Sequence, residues 1–162
     1  MAELDAVDWQ LLTALQDDAR LGYRELGRRI GMSPPAVASR IRRLEHLGVI
    51  TGYSARVDPT RAGLPVQAFL ILSTTGRRQS LTTAHIARQS PNVLEDHRIT
   101  GTDDHLMRVV TRDIASLEPL IDQLNELGTP ATSFVLSSPK LWAPSTPAAL
   151  DAQDDGANPG RS

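Results

Sequence analysis

Two patterns in the sequence predict an α+β protein of two domains. Up to residue 56, apolar side chains recur at helical spacing in three short segments, and a glycine-containing turn separates the last two. From residue 66 the order becomes strand, helix, strand, strand, helix, strand, which is the ferredoxin-like βαββαβ arrangement. We therefore expect a winged helix-turn-helix domain at 1–56, a linker at 57–65 and a ferredoxin-like domain at 66–141.

The first two helices carry signals at their ends. Asp5 can cap a helix that runs to about Gln16, and Asp8 is placed to reach back, as in a capping box. Ile30 is followed directly by Gly31, which suits a helix C-terminus that turns in a left-handed conformation.

The third helix begins at a Ser-Pro pair, because Ser33 offers a capping hydroxyl and Pro34 suits the first helical position. Its apolar stripe is expected to pack inward and consists of Val37, Ala38, Ile41 and Leu44. A helix presented in this way fits a DNA major groove, with its first residues at base edges. The candidate DNA contacts lie at its start and on its outer side or flank: Ser33, Pro35, Ala36, Ser39, Arg40, Arg42 and Arg43.

Positive charge is concentrated around this helix. From Arg20 to Arg56 there are eight arginines and two acids, Glu25 and Glu45, although the whole chain has a net charge of −2. A local basic patch of this kind is typical of a DNA-binding domain. The alternative is an amphipathic helical hairpin whose arginine face is merely solvated.

Each element of the second domain has its own signal. Ser80 and Asp113 are expected to cap its two helices, and Gly128 to end the second one. The Gly101–Asp104 turn is expected to join the second and third strands of the chain. The expected strands are 67–74, 93–100, 106–111 and 132–138.

The ordered motifs of the chain resemble the Lrp/AsnC family of bacterial regulators. Leu4–Asp8, followed by Leu11, looks like the family's opening L-D-x-x-D-x-x-I-L, and residues 31–53 look like its recognition helix and exit. Gly101–Met107 resembles the G-x-x-D-y-l-l segment of its effector domain. The resemblance spans residues 3–141. It implies a sequence-specific, DNA-binding transcriptional regulator whose activity or assembly responds to a small amino acid.

The Gly101–Asp104 turn is the candidate ligand site. Backbone N–H groups of a glycine turn can hold a carboxylate, and Asp104 can pair with an α-ammonium, so the turn suits an amino acid. The resemblance adds residues near the final strand and places the effector between subunits. An ordinary hairpin turn, in which Gly101 has a positive φ and Asp104 bonds its own backbone, explains the same residues. The candidate ligand contacts are Gly101, Thr102, Asp103, Asp104, Thr132 and Ser133.

The second domain is expected to form a homodimer. A four-stranded sheet with both helices on one face leaves the other face open, and two helices cannot cover all of Phe69, Ile71, Val109 and Phe134. A two-fold dimer would also read two DNA half-sites. The resemblance implies further assembly of dimers into octamers or similar rings.

Other functions have little support in the sequence. There is no cysteine, and the four histidines, expected at the surface or half-buried, lack zinc-ligand spacing. No nucleophile-elbow or phosphate-loop motif is found, so we expect no enzyme and no cofactor. No apolar run is long enough to span a membrane, which favours a cytoplasmic protein. Residues 142–162 have almost no large apolar side chains and are expected to form a disordered tail.

Two alternatives remain open at this stage. An architectural or orphan protein would bind DNA with little sequence preference and ignore amino acids. A group of haem-pathway decarboxylases is built on similar domains, but the arginine-rich recognition helix argues against a sirohaem-decarboxylase-like enzyme.

Overall fold

The computed structural model of the protein describes residues 3–151. These residues form two compact units. The first contains the described residues up to Ala55 together with those from Lys140 onward, and the second is Arg56–Pro139. The chain therefore leaves the first unit and returns to it after completing the second.

The first unit begins with three helices: α1 (Ala6–Asp17), α2 (Tyr23–Ile30) and α3 (Pro34–His46). The capping box of α1 is confirmed, because Asp8 N–H donates to Asp5 Oδ1 at 2.8 Å and Asp5 N–H donates to Asp8 Oδ2 at 3.2 Å. The left-handed turn is also confirmed, with Gly31 at φ 74°. Ser33 occupies the N-cap position of α3, but its hydroxyl makes no capping hydrogen bond, so that expectation is wrong.

The core of the first unit lies between the three helices. Leu11, Leu26 and Val37 are fully buried and Ile41 is nearly so, and together they form one cluster. The stripe predicted on α3 is confirmed, since all four of its members are buried. This packing presents the opposite side of α3 to solvent.

The wing expected after α3 is not present. Gly48 turns the chain at φ 69°, and residues 51–58 contain no assigned strand. Instead, the Tyr53 hydroxyl donates to Glu45 Oε1 at 2.9 Å and ties this extended exit segment back to α3. The fold class is confirmed, but the first unit is a helix-turn-helix without a strand hairpin in its described residues.

The second unit is a four-stranded sheet with helices on one face, as predicted. Its elements are β1 (Val66–Thr74), α4 (Arg77–Gln89), β2 (Val93–Arg98), β3 (His105–Thr111), a short 3₁₀ turn (Ala115–Leu117), α5 (Glu118–Asn125) and β4 (Gly128–Phe134). All strand pairs are antiparallel, in the order β2-β3-β1-β4. Alternate residues of β1 and β3 pack under the helices around Leu70, Met107 and Leu124.

The starts of α4 and β4 differ from the sequence prediction by about one helical turn or four residues. α4 begins one turn earlier than expected, so Ser80 lies inside the helix and is buried rather than capping it. β4 begins at Gly128, four residues before the predicted start. The reason is a close approach of strands: a Cβ at Gly128 would lie 2.1 Å from the Ser73 carbonyl oxygen. Glycine is required at position 128 because two strands approach closely there, and not because a helix ends there, as the sequence suggested.

The described C-terminal residues belong to the first unit. Gln16 of α1 makes two hydrogen bonds with the Ser145 backbone, accepting from its N–H at 2.8 Å and donating to its carbonyl at 3.0 Å. A short helix, α6 (Ala148–Asp151), follows. The sequence predicted a disordered tail from residue 142; its described part contains this short helix and the Ser145 hydrogen bonds, and the extent of the tail stays a prediction. Residues 152–162 of the predicted tail lie outside the described residues.

Candidate nucleic-acid interface and effector loop

The outer side of α3 carries a ridge of exposed side chains. Pro35, Ser39 and Arg42 are exposed and follow one another at spacings of four and three residues, which places them on one helical face. His46, also exposed, continues the same ridge and was not among the predicted contacts. Its position four residues beyond Arg42 is the signal that would have found it.

The remaining predicted contacts lie beside this ridge. Ser33 is exposed just before the helix, and Ala36 is half-buried on its first turn. Small side chains at the start of α3 leave room for a close approach of base edges to the backbone. Arg40 and Arg43 flank the ridge on the side that faces α1.

Arg40 and Arg43 are held by a buried carboxylate of α1. Asp8 is 1% exposed, and its Oδ1 accepts from Arg40 Nη1 at 2.9 Å while its Oδ2 accepts from Arg43 Nη1 at 2.9 Å. Arg40 Nη1 also donates to Asp5 Oδ2 at 2.6 Å. Arg43 Nη2 donates to the Glu3 carbonyl at 3.3 Å. The two arginines thereby join α3 to the start of α1.

The charges in this cluster stabilise one another. Burial by itself would raise the pKa of Asp8, but the hydrogen bonds from Arg43 and Arg40 outweigh burial and hold the pKa below its ordinary value of 3.8. Hydrogen bonds to Asp5 and Asp8 raise the pKa of Arg40 in turn. Asp8 and Arg40 therefore stay charged at neutral pH.

Most other arginines of the basic stretch are also paired. Glu25 accepts from Arg28 at 2.7 Å and from Arg29 at 2.9 Å, and these hydrogen bonds lower its pKa to about 2. Arg20 pairs with Asp18 at 3.4 Å. Within residues 3–151, the guanidinium groups of Arg24 and Arg42 make no hydrogen bond or ion pair.

In the second unit, the Gly101–Asp104 loop lies at one end of the sheet. Gly101 has a φ of 127°, as a tight turn requires. Asp104 Oδ1 accepts from the Thr74 N–H at 2.8 Å, and its Oδ2 accepts from the Thr74 hydroxyl at 2.6 Å. Burial would raise the pKa of Asp104, but these hydrogen bonds outweigh it and lower the pKa. Asp104 thus bonds the neighbouring strand, not its own backbone as the hairpin alternative had it.

One chain does not bring the loop together with Thr132 and Ser133. The loop bonds β1 near its end, where Ser73 Oγ donates to the Thr102 carbonyl at 2.9 Å. Thr132 and Ser133 pair with Leu70 and Phe69, which lie roughly 10–13 Å back along β1 from Ser73 at the usual strand rise. Being adjacent on β4, they also point to opposite faces of the sheet. The six predicted ligand residues therefore do not line a single cleft in one chain.

A buried polar cluster lies beneath the loop. His105 is 0% exposed, so the expectation that all histidines are at the surface or half-buried is wrong. Its Nδ1 lies 2.9 Å from Asp96 Oδ1, and its Nε2 lies 2.8 Å from Ser80 Oγ. The Asp96 carboxylate accepts from Nδ1, which leaves Nε2 to pair with the hydroxyl. This is the bonding order of a hydrolase triad, but Ser80 is buried and a substrate cannot reach its hydroxyl.

The open face of the sheet carries part of the predicted apolar set. Phe69 and Ile71 are half-buried there, and Leu106 lies opposite Ile71 on β3. Val109 does not belong to this face, because it pairs with Ala68 and is fully buried under the helices. The expectation that Val109 contributes to the open face is therefore wrong.

Residues 3–151 show neither a metal site nor a membrane-spanning helix. No group of three or more metal-ligating His, Asp or Glu side chains is found among them. None of the helices in that range is long and apolar enough to cross a membrane.

Comparison with known proteins assigns the family. The family model of the AsnC-type helix-turn-helix domain matches residues 4–45, and that of the Lrp/AsnC ligand-binding domain matches residues 67–142. The uncharacterized HTH-type transcriptional regulator YezC of Bacillus subtilis is 40% identical over 135 residues, covering 83% of this chain and 95% of its own. The chain belongs to the Lrp/AsnC family. It is thus a transcriptional regulator with a helix-turn-helix domain and a ligand-binding domain.

Two further proteins are similar along most of their length. The leucine-responsive regulatory protein of Rhizobium meliloti is 35% identical over 121 residues, covering 74% of this chain and 78% of its own. The crystal structure of the transcriptional regulator NMB0573 of Neisseria meningitidis in complex with L-Met has a TM-score of 0.84 at 28% identity, covering 91% of this chain and 99% of the other. These relatives are transcriptional regulators and not enzymes.

Proposed function

We propose that this protein binds specific DNA sites through α3 and that a small amino acid modulates its activity or assembly. The observation that carries the DNA-reading part is the exposed ridge of Pro35, Ser39 and Arg42, backed by a fully apolar inner stripe. Small side chains at the start of the ridge allow close approach to base edges. Arg42 supplies a guanidinium for a phosphate or a guanine edge.

The predicted contacts take different roles in this proposal. Ser33, Pro35, Ala36 and Ser39 lie at or near base edges, because the start of a recognition helix enters the groove. Arg42 contacts the DNA directly. Arg40 and Arg43 contact it with the guanidinium nitrogens that remain after their bonds to α1.

An amino acid is the proposed effector, with the Gly101–Asp104 loop as its first contact. Names of two relatives support the ligand class: one is leucine-responsive and another was crystallised with L-Met. Because Thr132 and Ser133 lie apart from the loop in one chain, the proposed site takes them from a second subunit.

Self-association follows from the same proposal. Phe69, Ile71 and Leu106 form an apolar patch on the open face of the sheet, and a second copy of that face would cover it. We propose a homodimer as the minimal unit and octamers as a further assembly. A regulator that acts on bacterial DNA works in the cytoplasm, and that is the proposed location.

Fluorescence anisotropy with DNA from upstream of the protein's own gene tests the DNA part. Arg42→Ala is expected to weaken binding and to reduce the slope of log K against log salt by about 0.9, the value for one phosphate contact. Arg88→Ala is the matched control, because Arg88 is an exposed arginine of α4 in the other unit. An unchanged affinity and slope for Arg42→Ala would refute the assignment of α3.

The effector part is tested by repeating the titration with a pool of amino acids. A shift in affinity that one member of the pool reproduces supports an amino acid effector. Tight binding that ignores the pool, with similar strength on unrelated sequences, supports the alternative of an architectural or orphan DNA-binding protein.

A further inference from the structure

The cluster of Asp8 with Arg40 and Arg43 does more than fasten two helices. A carboxylate that is 1% exposed would be costly in a protein interior unless it were paired, and here both of its oxygens are paired with guanidinium groups. The partners are not core residues. They flank the face of α3 that the proposed function assigns to DNA, with side chains 29% and 47% exposed.

The bonding leaves part of each guanidinium unused. Arg40 bonds to carboxylates only through Nη1, and Arg43 bonds to Asp8 through Nη1, so the Nε of each makes no hydrogen bond in the described part of the chain. A guanidinium is planar and carries five N–H donors in a rigid fork. Holding Nη1 of each arginine on Asp8, together with a second acceptor on each guanidinium, therefore restricts the direction in which the remaining donors point.

We propose that Asp8 is a positioning residue for specific DNA recognition, which restrains Arg40 and Arg43 so that they contact DNA in one register. This inference rests on the proposed DNA-binding role of α3. An arginine held in this way loses little further side-chain entropy when it meets a correctly placed acceptor. It also offers less positive charge to misplaced phosphates, since the Asp8 charge lies next to it. The carboxylate thus lowers non-specific affinity more than it lowers specific affinity.

Asp8→Asn tests this role, because asparagine keeps the shape of the side chain and removes its charge. The released arginines are expected to bind phosphates of any sequence. One added phosphate contact strengthens binding about eightfold at a salt concentration of about 0.1 M, and two contacts about 60-fold, because log K changes by about −0.9 per unit of log salt for each phosphate. We expect non-specific affinity to rise by about eightfold or more, with a steeper salt slope, while operator affinity rises less.

The measurement is anisotropy with two duplexes, one from upstream of the protein's own gene and one of scrambled sequence and equal composition. The ratio of the two affinities is expected to fall in Asp8→Asn, and Asp8→Glu, which keeps the charge, is expected to recover part of it. A purely structural role for Asp8 would weaken binding to both duplexes and would not raise non-specific affinity.

Asp17→Asn is the matched control, since Asp17 is an exposed aspartate of the same helix and has no arginine partner in residues 3–151. Asp5→Asn is a milder variant that keeps the helix cap and removes one of the two carboxylates on Arg40. It is expected to raise non-specific affinity by less than about eightfold, so the test does not depend on folding of the Asp8 variants.

The outcomes separate this inference from the proposed function. An unchanged affinity ratio in both Asp8→Asn and Asp5→Asn, or an equal change in Asp17→Asn, would overturn the positioning role while leaving DNA binding intact. Failure of the unmodified protein to bind either duplex would overturn the DNA-binding proposal, and the positioning role with it.

Discussion

Replacing His105 with leucine should lower the free energy of unfolding of the second unit by more than the small difference in side-chain shape would. Leucine is similar in size to histidine but has no polar atom, so Ser80 and Asp96 both lose their hydrogen bond to the ring, while the Asp104 carboxylate stays beside the Ser80 hydroxyl. Ser80 is 3% exposed, and the loss of a buried hydrogen bond costs about 1–2 kcal/mol. Asp96 is at the edge of the cluster and can regain water, so its lost hydrogen bond adds less. We expect a total of about 1–3 kcal/mol.

A second substitution distinguishes this reasoning from simple repacking. Ser80→Ala in the His105→Leu background removes the hydroxyl that has lost its bond to the ring. Replacing both partners of a buried hydrogen bond by apolar groups is often nearly neutral. The double variant should therefore be as stable as His105→Leu or more stable, although Ser80→Ala alone is expected to cost about 1–2 kcal/mol. The decisive quantity is the difference between the free-energy change of the double variant and the sum of the two single changes.

Hydrogen exchange of backbone amides in β1 and β3 is the suitable assay, because these two strands form the centre of the sheet. Tryptophan fluorescence cannot replace it, since Trp9 and Trp142 both belong to the first unit. His85→Leu is the control: His85 is exposed on α4, and its replacement should change the free energy of unfolding by less than about 0.5 kcal/mol. Protection in His105→Leu equal to that of the control, or simple additivity in the double variant, would refute the account.

Three further outcomes are expected. Gly128→Ala should destabilise the second unit by about 3 kcal/mol or more in urea unfolding, because its Cβ would strike backbone atoms of Ser73. Gly27→Ala should destabilise the first unit even though alanine favours helices by about 1 kcal/mol, since the Cβ would lie 2.3 Å from the Met32 carbonyl oxygen; a higher melting temperature would contradict this. Asp104 has a lowered pKa in the folded state, so its contribution is present at neutral pH and is lost as the pH falls below 3.8; thermal unfolding of Asp104→Asn from pH 7 to acid should show a flatter pH dependence than the unmodified protein.

The sequence predicted the features that depend on neighbouring residues. The capping box at Asp5 and the left-handed Gly31 were both found as expected, because each is formed within one turn of chain. The order of strands and helices in the second unit was predicted for the same reason. Its β4 boundary was not, because the need for glycine at Gly128 arises from β1, more than 50 residues away along the chain.

The histidine prediction failed for a related reason. Spacing alone cannot show that His105 lies at the buried end of β3, where Ser80 reaches it from α4 and Asp96 from β2. His105 is followed by two adjacent apolar residues, Leu106 and Met107, so either face of the strand could be the buried one, and only the register with β1 decides between them.

The basic patch around α3 shows what counting charged residues within one stretch of sequence omits. Counting from Arg20 to Arg56 suggests a strongly basic surface, but Asp5 and Asp8 lie outside that window and bond to two arginines of the recognition helix. A positive patch read from sequence is therefore an upper limit, because acids from other helices can neutralise it. The arginines that remain without an acidic partner say more about DNA recognition. In the described residues, Arg42 is such an unpaired cation, and it lies on a ridge of otherwise small or neutral side chains. Fewer free charges mean a larger share of the binding energy from groove contacts, which is the condition for discriminating one sequence from another.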